Sequence, residues 1–265
     1  MRELEGHVVV LTGAASGIGA ACARAFADAG ARVAIVDIDY VGAGRVRDEL
    51  MAAGTDAVEL AADLRDDVAV ESAISDVIAR WGRIDHLVNC AVNFVAAGRE
   101  ASRSQWESAL SVNVAGAALL TAKVSVHMPP GSTIVNVSSI SAHVAQPDRW
   151  TYNASKAAIL ALTRCQALDF RGDRIRVNAV SPGWIWTPEV AKAAGGDRGA
   201  WEPLWGRFHI LERLGEPREV ADAVLYLSSP RSSFVTGTEL MVDGGYSALG
   251  PEGLGETTKF ASTET

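Results

Sequence analysis

The chain contains 265 residues, 48% of them apolar, and has no linker-like tract, so one domain with a large buried core is the most economical interpretation and two small domains are the alternative. Its formal net charge of −8 argues against broad electrostatic attraction to nucleic acid or to anionic membranes. Small molecules and proteins remain as partners.

The N-terminus has no basic patch before a long apolar run, and no stretch reaches the ~20 uncharged apolar residues that span a bilayer. The three cysteines are widely spaced and form no C-x-x-C pair, so they are predicted to be buried thiols in a reducing cytoplasm. The histidines show no metal-ligand spacing. We therefore expect a soluble cytoplasmic protein without a bound metal.

A strand, a glycine turn and a helix are predicted at the start of the chain. The β-rich run 7–12 leads into Gly13, Gly17 and Gly19, and an alanine-rich helix follows and ends before Gly30. Gly13 allows a tight turn, Gly17 lets a phosphate approach the backbone, and Gly19 lets the helix pack closely on the sheet. The exposed amides at the helix start attract a pyrophosphate.

The second predicted strand ends at Asp37, twenty residues after Gly17. A carboxylate at this point accepts hydrogen bonds from an adenosine ribose and repels a 2′-phosphate. No arginine or lysine occupies residues 14–16 or 38–40. The pattern therefore predicts NAD rather than NADP as the cofactor.

Strands and helices then alternate, with predicted helices near 40–53 and 68–81 and predicted strands near 57–61 and 84–91. Such alternation indicates a parallel sheet with helices on both faces, which binds its ligands at the carboxyl ends of the strands. The residues predicted at those ends are Asp63, Asn89, Ala91 and Ser138. Each of them could line a cofactor cleft, and each could equally be an ordinary strand cap.

The next predicted helix, near 106–126, carries Asn113 among small and apolar residues. A buried amide without partners costs roughly 1–3 kcal/mol, so this side chain must find them. Two partners remain open, namely a neighbouring backbone group or a water beside Lys156.

The stretch 133–157 joins a short buried strand, which ends at Ser138 and Ser139, to a helix carrying Tyr152 and Lys156. Residues four apart share one helix face, and a nearby cation lowers the pKa of a phenol. Tyr152 could then act as a general base near neutral pH, with Ser139 hydrogen-bonding the reacting oxygen. The same spacing is also typical of a core aromatic beside a lysine stem that reaches water.

The least regular segment, 184–213, holds four of the seven tryptophans and is predicted to form a lid over the site. The same tryptophans could instead pack a subunit interface or the core. Candidate substrate contacts, chosen for a hydroxylated ring, are His143, Arg149, Trp184, Trp186 and Trp205. Residues 247–265 are polar and are expected to form a C-terminal tail.

Taken together, these motifs resemble the classical short-chain dehydrogenase/reductase family over residues 5–246. The family's T-G-x-x-x-G-x-G motif falls on 12–19, the serine of its N-x-S-S stretch on Ser139, and its Y-x-x-x-K on Tyr152 to Lys156. Its N-A-V-x-P-G and V-D-G-G segments fall on 178–183 and 242–245.

The resemblance implies an α/β, single-domain Rossmann fold in which residues 1–246 form a dinucleotide-binding catalytic domain around a doubly wound, seven-stranded parallel sheet. It implies a catalytic tetrad of Asn113, Ser139, Tyr152 and Lys156, with the lysine holding the nicotinamide ribose and the asparagine a relay water. It also implies a homo-oligomer, a tetramer or a dimer, paired through the long helices around Asn113 and Lys156. The implied cofactor contacts are Gly13, Ser16, Gly17, Ile18, Gly19, Asp37, Asp63, Leu64, Asn89, Ala91, Tyr152, Lys156, Pro182, Gly183, Ile185 and Thr187.

One departure from the family is Val92, which stands where relatives have the glycine of N-N-A-G and which touches none of the proton-transfer groups.

The favoured function is NAD-dependent hydride transfer between nicotinamide and a secondary alcohol, namely a sugar, sugar acid or cyclic polyol. The alternatives are a 3-oxoacyl thioester reductase, expected to prefer NADPH, and a non-catalytic dinucleotide-binding protein. An intact tetrad argues against the latter. A nucleotide-sugar epimerase or dehydratase fits less well, because it usually needs a longer substrate domain.

Overall fold

Seven parallel strands form a single sheet in this computed structural model, which describes residues 3–254. The strands are β1 (Val8–Thr12), β2 (Arg32–Asp37), β3 (Ala57–Ala61), β4 (His86–Asn89), β5 (Thr133–Val137), β6 (Arg176–Pro182) and β7 (Glu239–Val242). Their order in the sheet is β3-β2-β1-β4-β5-β6-β7. The strand order reverses between β1 and β4, which is where open parallel sheets bind their ligands.

Helices cover both faces of this sheet. They are α1 (Gly17–Asp28), α2 (Tyr40–Ala52), α3 (Asp67–Trp81), α4 (Arg103–Leu110), α5 (Ala117–Ser125), α6 (Trp150–Asp169), α7 (Pro188–Ala193), α8 (Arg198–Gly206) and α9 (Pro217–Ser228). The central strands are therefore buried on both sides, which is why they read as continuous Val-rich runs rather than as alternating patterns.

The core divides into two apolar layers, one on each face of the sheet. One layer packs Leu11 and Phe26 with α1, α2 and α9, and the other packs Leu87 and Ile134 with α3 and α5. The doubly wound Rossmann fold expected from the resemblance is confirmed, and the predicted strands and long helices agree with the structure to within a few residues at their ends.

Helices α4 and α5 are the two ends of one continuous helix, Arg103–Ser125, joined by a π-helical turn over Ser111–Gly116. By length and composition alone this helix could cross a membrane, which differs from the sequence expectation. Core helices of soluble proteins meet the same test, and here Leu120 and Val124 pack into the apolar layer beneath α3. Its composition therefore carries little weight as evidence for a membrane span.

Two expectations are corrected by the structure. The segment 184–213, predicted to be irregular, contains the short helices α7 and α8, each started by a side-chain cap from Thr187 or Asp197. The cysteines are not all buried, because Cys165 is exposed and Cys90 is only half-buried.

Short helical turns over Tyr246–Ala248 and Pro251–Leu254 begin the predicted tail, and the rest of that tail lies outside the described residues.

Candidate active site

The glycine turn after β1 brings the backbone of three segments together. Gly13 has a positive φ of 64°, and a Cβ at this position would lie 2.6 Å from the Cα of Ala91 after β4. Thr12 fixes the same approach, because its hydroxyl accepts the amides of Cys90 at 3.2 Å and Ala91 at 3.1 Å. Only glycine fits at residue 13, and the ends of β1 and β4 are held side by side.

Helix α1 starts in this turn with unsatisfied amides. Its N-cap, Ser16, has an extended backbone and makes no side-chain cap hydrogen bond. Gly19 packs against the Gly13 carbonyl so closely that a Cβ would overlap it, and Ile18 packs beside the core layer of α1. The first turn therefore presents backbone N–H groups, together with the positive end of the helix dipole, to an anion.

Asp37 lies beside the same turn at the end of β2. One of its carboxylate oxygens accepts the Ala15 amide at 2.9 Å, and the other accepts the Asp39 amide at 2.9 Å. The neighbouring Ile38 is exposed. The Asp37 carboxylate, followed by an apolar side chain, is thus held directly beside the glycine turn, which is of the kind that binds phosphate groups.

The strand ends on either side of β1 supply further polar groups. Asp63 pairs with Arg65, whose guanidinium and amide hold the pKa of the carboxyl below its usual range. The next residue, Leu64, packs against Gly116 of the π-helical turn. Asn89 donates to Asn136 at 2.8 Å and to Thr121 at 3.0 Å.

The segment after β6 faces the glycine turn from the other side. Pro182 ends β6, and Gly183 packs so closely on β7 that a Cβ would lie 2.9 Å from the Cα of Asp243. Ile185 forms an isolated bridge with Gly215, and a Cβ at Gly17 would lie 3.6 Å from the side chain of Thr187. Thr187 therefore lies against the glycine turn, on the side opposite to Ala91.

Tyr152, Lys156 and Ser139 lie together where β5 ends and α6 begins. The Lys156 ammonium nitrogen is 5.8 Å from the ring centre of Tyr152 and donates to the Val137 carbonyl at 2.8 Å. Ser138 also ties this region together, because its hydroxyl donates to the Lys156 carbonyl at 2.8 Å. The hydroxyl of Ser139 accepts the Ser141 amide at 3.1 Å.

The expected lowering of the tyrosine pKa by Lys156 is wrong for this structure. Burial raises the pKa of Tyr152, opposed by a hydrogen bond from Ser139 and by the positive charge of Arg149. Burial also lowers the pKa of Lys156, to about 8, because an ammonium group is costly to bury. The ammonium bonds the Val137 carbonyl rather than the phenol, so sequence spacing alone could not give the direction of the tyrosine pKa.

Asn113 lies in the π-helical turn, and its side-chain amide forms hydrogen bonds with the backbone of the loop after β4. Its Oδ1 accepts the Asn93 amide at 2.7 Å, while its Nδ2 donates to the Asn93 carbonyl at 3.1 Å and to Ser155 Oγ at 3.1 Å. Of the two sequence alternatives, backbone bonding is the arrangement found. An extra residue in the turn re-aims the side chains of the helix, a common feature of functional sites.

The loop after β4 brings Phe94, which the sequence analysis missed, against Tyr152. The two ring centres are 4.7 Å apart. Besides Asn113, the loop is held by Thr151, whose hydroxyl donates to the Val95 carbonyl and accepts the Ala97 amide. Nothing local in the sequence marks Phe94, because its position depends on hydrogen bonds from two distant helices. Val92, in place of the family glycine, is exposed at the start of this loop.

The candidate substrate residues fall into two groups. The Arg149 guanidinium carbon lies 5.5 Å from the Phe94 ring centre and 5.7 Å from that of Trp184, and the Trp184 and Trp205 ring centres are 5.1 Å apart. Together these aromatic rings and the Arg149 guanidinium form one surface, which continues to Tyr152 through Phe94. The other two are engaged elsewhere, because the His143 ring bonds to Glu239 at 2.8 Å and Trp186 stacks on Arg198.

A cavity of about 430 Å³ opens between the end of β7 and the segment 207–215. It is lined by Gly183, Trp184 and Ile185 on one side and by His209 and Gly244 on the other. Tyr152, Ser139 and Lys156 are not among its lining residues. The cavity therefore adjoins the segment after β6 but does not include the Tyr152 side chain.

Comparison with known proteins gives concordant matches over almost the whole chain. Residues 13–247 match the profile of a family described as enoyl-(acyl carrier protein) reductase. The D-threitol dehydrogenase of Mycolicibacterium smegmatis is 38% identical over 92% of this chain and 94% of its own. The cis-4-hydroxycyclohexanecarboxylate dehydrogenase of Sinomonas cyclohexanicum is 39% identical over 92% of this chain and 97% of its own.

A solved structure, the short-chain dehydrogenase/reductase SDR:glucose/ribitol dehydrogenase from Brucella melitensis, superimposes with a TM-score of 0.86. It is 31% identical in sequence and the match covers 92% of this chain and 98% of that one. The agreement in fold therefore extends over nearly the whole of both chains.

Proposed function

Because the chain belongs to the short-chain dehydrogenase/reductase family, we propose that it is an NAD-dependent dehydrogenase of secondary alcohols. The substrate class is a polyol, sugar, sugar acid or cyclic alcohol. The observation that carries the proposal is Tyr152, a phenol flanked by Lys156 and by Ser139 at the carboxyl edge of the sheet. Such a phenol is suited to exchanging the proton of a hydroxyl group.

The residues around the glycine turn fit a dinucleotide. The uncapped start of α1 offers N–H donors to a pyrophosphate, and Gly13 and Gly19 fill positions where a Cβ would clash. Asp37 has an anionic oxygen for a ribose hydroxyl and would repel a 2′-phosphate, which favours NAD over NADP. We assign the proposed cofactor contacts to Gly13–Gly19, Asp37, Asp63, Leu64, Asn89, Ala91 and the segment 182–187.

A nicotinamide bound at this site would supply the acceptor for the hydride that leaves the carbinol carbon. In our proposal the phenolate oxygen of Tyr152 takes the hydroxyl proton of the substrate, so that a carbonyl group forms. Ser139 donates a hydrogen bond to the substrate oxygen, the positive charge of Arg149 favours the phenolate over the phenol, and Lys156 holds the nicotinamide ribose. Asn113 acts as a positioning residue, because it holds the loop that carries Phe94.

Proton removal by Tyr152 has a consequence for pH. Since burial raises the pKa of the phenol, the oxidation rate is expected to rise with pH as the phenolate fraction increases. The reduction of a ketone needs the protonated phenol, so its rate is expected to fall over the same range. Opposite slopes in the two directions are the signature of one group serving as base and acid.

The substrate class is supported by the relatives and by the aromatic surface. D-threitol and cis-4-hydroxycyclohexanecarboxylate, named for two relatives, are an open-chain polyol and a cyclic hydroxy acid. Aromatic faces such as Trp184 and Trp205 pack well against the C–H faces of such molecules. We propose that the segment 184–213 covers this substrate as a lid.

An acyl thioester reductase is the second candidate, because the matching family profile carries an acyl carrier protein name. Asp37 and the absence of a basic residue at 14–16 and 38–40 argue against the NADPH preference expected of it. The test is to assay purified protein with NAD and with NADP against polyols, sugars, cyclic alcohols and 3-hydroxyacyl thioesters. Activity with NAD on the hydroxylated compounds is expected, and activity confined to thioesters with NADPH would overturn the proposal.

We also propose a homo-oligomer, dimer or tetramer. The helix Arg103–Ser125 and α6 leave apolar side chains exposed, among them Leu110, Leu119 and Leu168. Burial of each such side chain in an interface is worth about 1.5–3 kcal/mol. Light scattering should give a mass that is a multiple of 27.9 kDa, whereas a monomer at micromolar concentration would contradict this part of the proposal.

A further inference from the structure

Arg149 is a half-buried cation that lies against aromatic rings and has no ion-pair partner among residues 3–254. Its guanidinium carbon lies 5.5 Å from the Phe94 ring centre and 5.7 Å from the Trp184 ring centre. Within residues 3–254, no carboxylate oxygen lies within salt-bridge distance of this guanidinium, and none of its N–H groups has a hydrogen-bond acceptor in the protein. Five planar N–H donors are therefore available on one side chain.

Two arginines of the lid are paired with glutamates. Arg198 bonds to Glu202 at 2.8 Å and to Glu216 at 2.6 Å, and Arg213 bonds to Glu219 at 2.6 Å. A partly buried charge without a partner loses hydration that nothing in the protein replaces, so it is an unfavourable arrangement unless a ligand completes it. Arg207 stacks on Phe208 and is exposed, so Arg149 is the partly buried arginine of this region without a glutamate partner among the described residues.

The position of Arg149 is set by the backbone on both sides. The preceding residue, Asp148, has a φ of 54°, in the left-handed region that non-glycine residues rarely adopt. On the other side, Thr151 binds the 95–97 loop through its hydroxyl and its amide. Helix α6 begins at Trp150, so the positive end of its dipole lies next to the guanidinium.

Arg149 and Tyr152 contact the same aromatic ring. Phe94 has its ring centre 4.7 Å from that of Tyr152 and 5.5 Å from the Arg149 guanidinium carbon. The ring centre of Tyr152 therefore lies no more than about 10 Å from the guanidinium carbon. A ligand with one six-membered ring between its hydroxyl and its carboxylate can bridge a distance below this limit, with one end at the phenol and the other at the guanidinium.

We propose that Arg149 binds a carboxylate of the substrate, so that the preferred substrates are hydroxy acids whose secondary hydroxyl group lies about one ring away from the carboxylate. The inference rests on the proposed function and deepens it, because it selects acids among the polyols, sugars and cyclic alcohols. The planar fork of an arginine can hold both oxygens of a carboxylate, while the rings of Phe94 and Trp184 flank the guanidinium.

The test compares two matched ligand pairs in wild type, Arg149→Gln and Arg149→Lys. The first pair, 4-hydroxycyclohexanecarboxylate and its amide, measures kcat/KM for an acid and for its neutral analogue. The second pair, cyclohexanecarboxylate and its amide, has no hydroxyl to oxidise and measures binding by calorimetry in the presence of NAD. Taking the acid-to-amide ratio within each variant cancels any shared effect on the pKa of Tyr152.

We expect Arg149→Gln to lower both acid-to-amide ratios on the order of 10- to 100-fold, the range for a charge-assisted hydrogen-bonded pair. Arg149→Lys should recover part of the loss, because it keeps the charge and loses the fork. Arg231→Gln is the control, since the Arg231 guanidinium carbon also lies over an aromatic ring, 5.8 Å from the Tyr226 ring centre, but Arg231 pairs with Glu3 and lies in the turn after α9. It should change neither ratio.

Unchanged ratios in Arg149→Gln, or a wild type that binds acid and amide equally, would overturn the inference. An equal loss of NAD affinity with unchanged ratios would show that the guanidinium serves a cofactor phosphate instead, which also overturns it. Arg149-dependent binding of cyclohexanecarboxylate without turnover of any alcohol would leave the anion site standing while the proposed dehydrogenase function fails.

Discussion

Lys156 is a buried ammonium group, and its burial should appear as a pH-dependent loss of stability. The residue is 4% exposed, and burial lowers its pKa from 10.5 to about 8. Between these two values the unfolded chain binds a proton that the folded chain does not, so stability rises with pH. Below pH 8 both states carry the charge and the folded state bears the whole penalty.

The size of the effect follows from the pKa difference. At ~1.36 kcal/mol per pH unit, a lysine pKa near 8 in place of 10.5 corresponds to a penalty of about 3 kcal/mol at neutral pH. From about pH 7.5 to about pH 10, some 2 kcal/mol of that penalty should disappear. Lys156→Met removes the charge, so its stability relative to wild type should be highest at neutral pH and should decline by this amount.

The assay is urea unfolding of wild type and Lys156→Met at both pH values. Both proteins carry Cys90→Ala, because the charge of Lys156 also lowers the pKa of the Cys90 thiol, and the buried thiol of Cys22 then titrates in both proteins and cancels from the difference. Lys192→Met, which removes an exposed lysine on α7, is the control and should show no such change. A difference between wild type and Lys156→Met that stays constant with pH, or that grows with pH, would refute the reasoning.

Three further predictions concern the loop, the sheet and the cofactor. Asn113→Ala should destabilise the protein by about 2–4 kcal/mol, because it leaves the Asn93 amide and carbonyl without partners, and hydrogen exchange at Asn93 should speed up. His86 is held neutral because burial and then the nearby His7 lower its pKa to about 3. Its contribution to the free energy of unfolding of the wild type should therefore fall by about 3 kcal/mol between about pH 6.5 and pH 4. His86→Gln should lose less in the same unfolding measurements, and an equal loss would contradict the assignment. Asp37→Ser combined with Ile38→Arg should raise the NADP-to-NAD ratio of kcat/KM at least about tenfold, and an unchanged ratio would remove Asp37 as the determinant.

Much of the fold follows from local sequence patterns. Buried parallel strands such as β1 and β5 are short runs of β-branched residues, and Gly13 is required wherever the turn must approach the next strand. The alternation of strands and helices, joined by right-handed crossovers, predicts a parallel sheet with helices on both faces. These features depend on residues that are adjacent in the chain, which is why the pattern predicts them.

The parts that could not be predicted depend on distant contacts. Phe94 reaches Tyr152 only because Asn113 and Thr151, on two different helices, hold its loop. The pKa direction of Tyr152 follows from its burial, which spacing to Lys156 does not reveal. The helices α7 and α8 were missed because they are short and start at capping residues that are also typical of loops.

The central claim, that the Tyr152 phenol exchanges the substrate proton, is tested most directly by Tyr152→Phe. Alcohol oxidation and NAD binding should be measured on the same preparation, the first by turnover and the second by calorimetry. We expect turnover to fall on the order of 10³-fold while the dissociation constant for NAD changes less than about threefold. Turnover that stays within about tenfold of wild type would contradict the claim, because general acid–base catalysis contributes more than that.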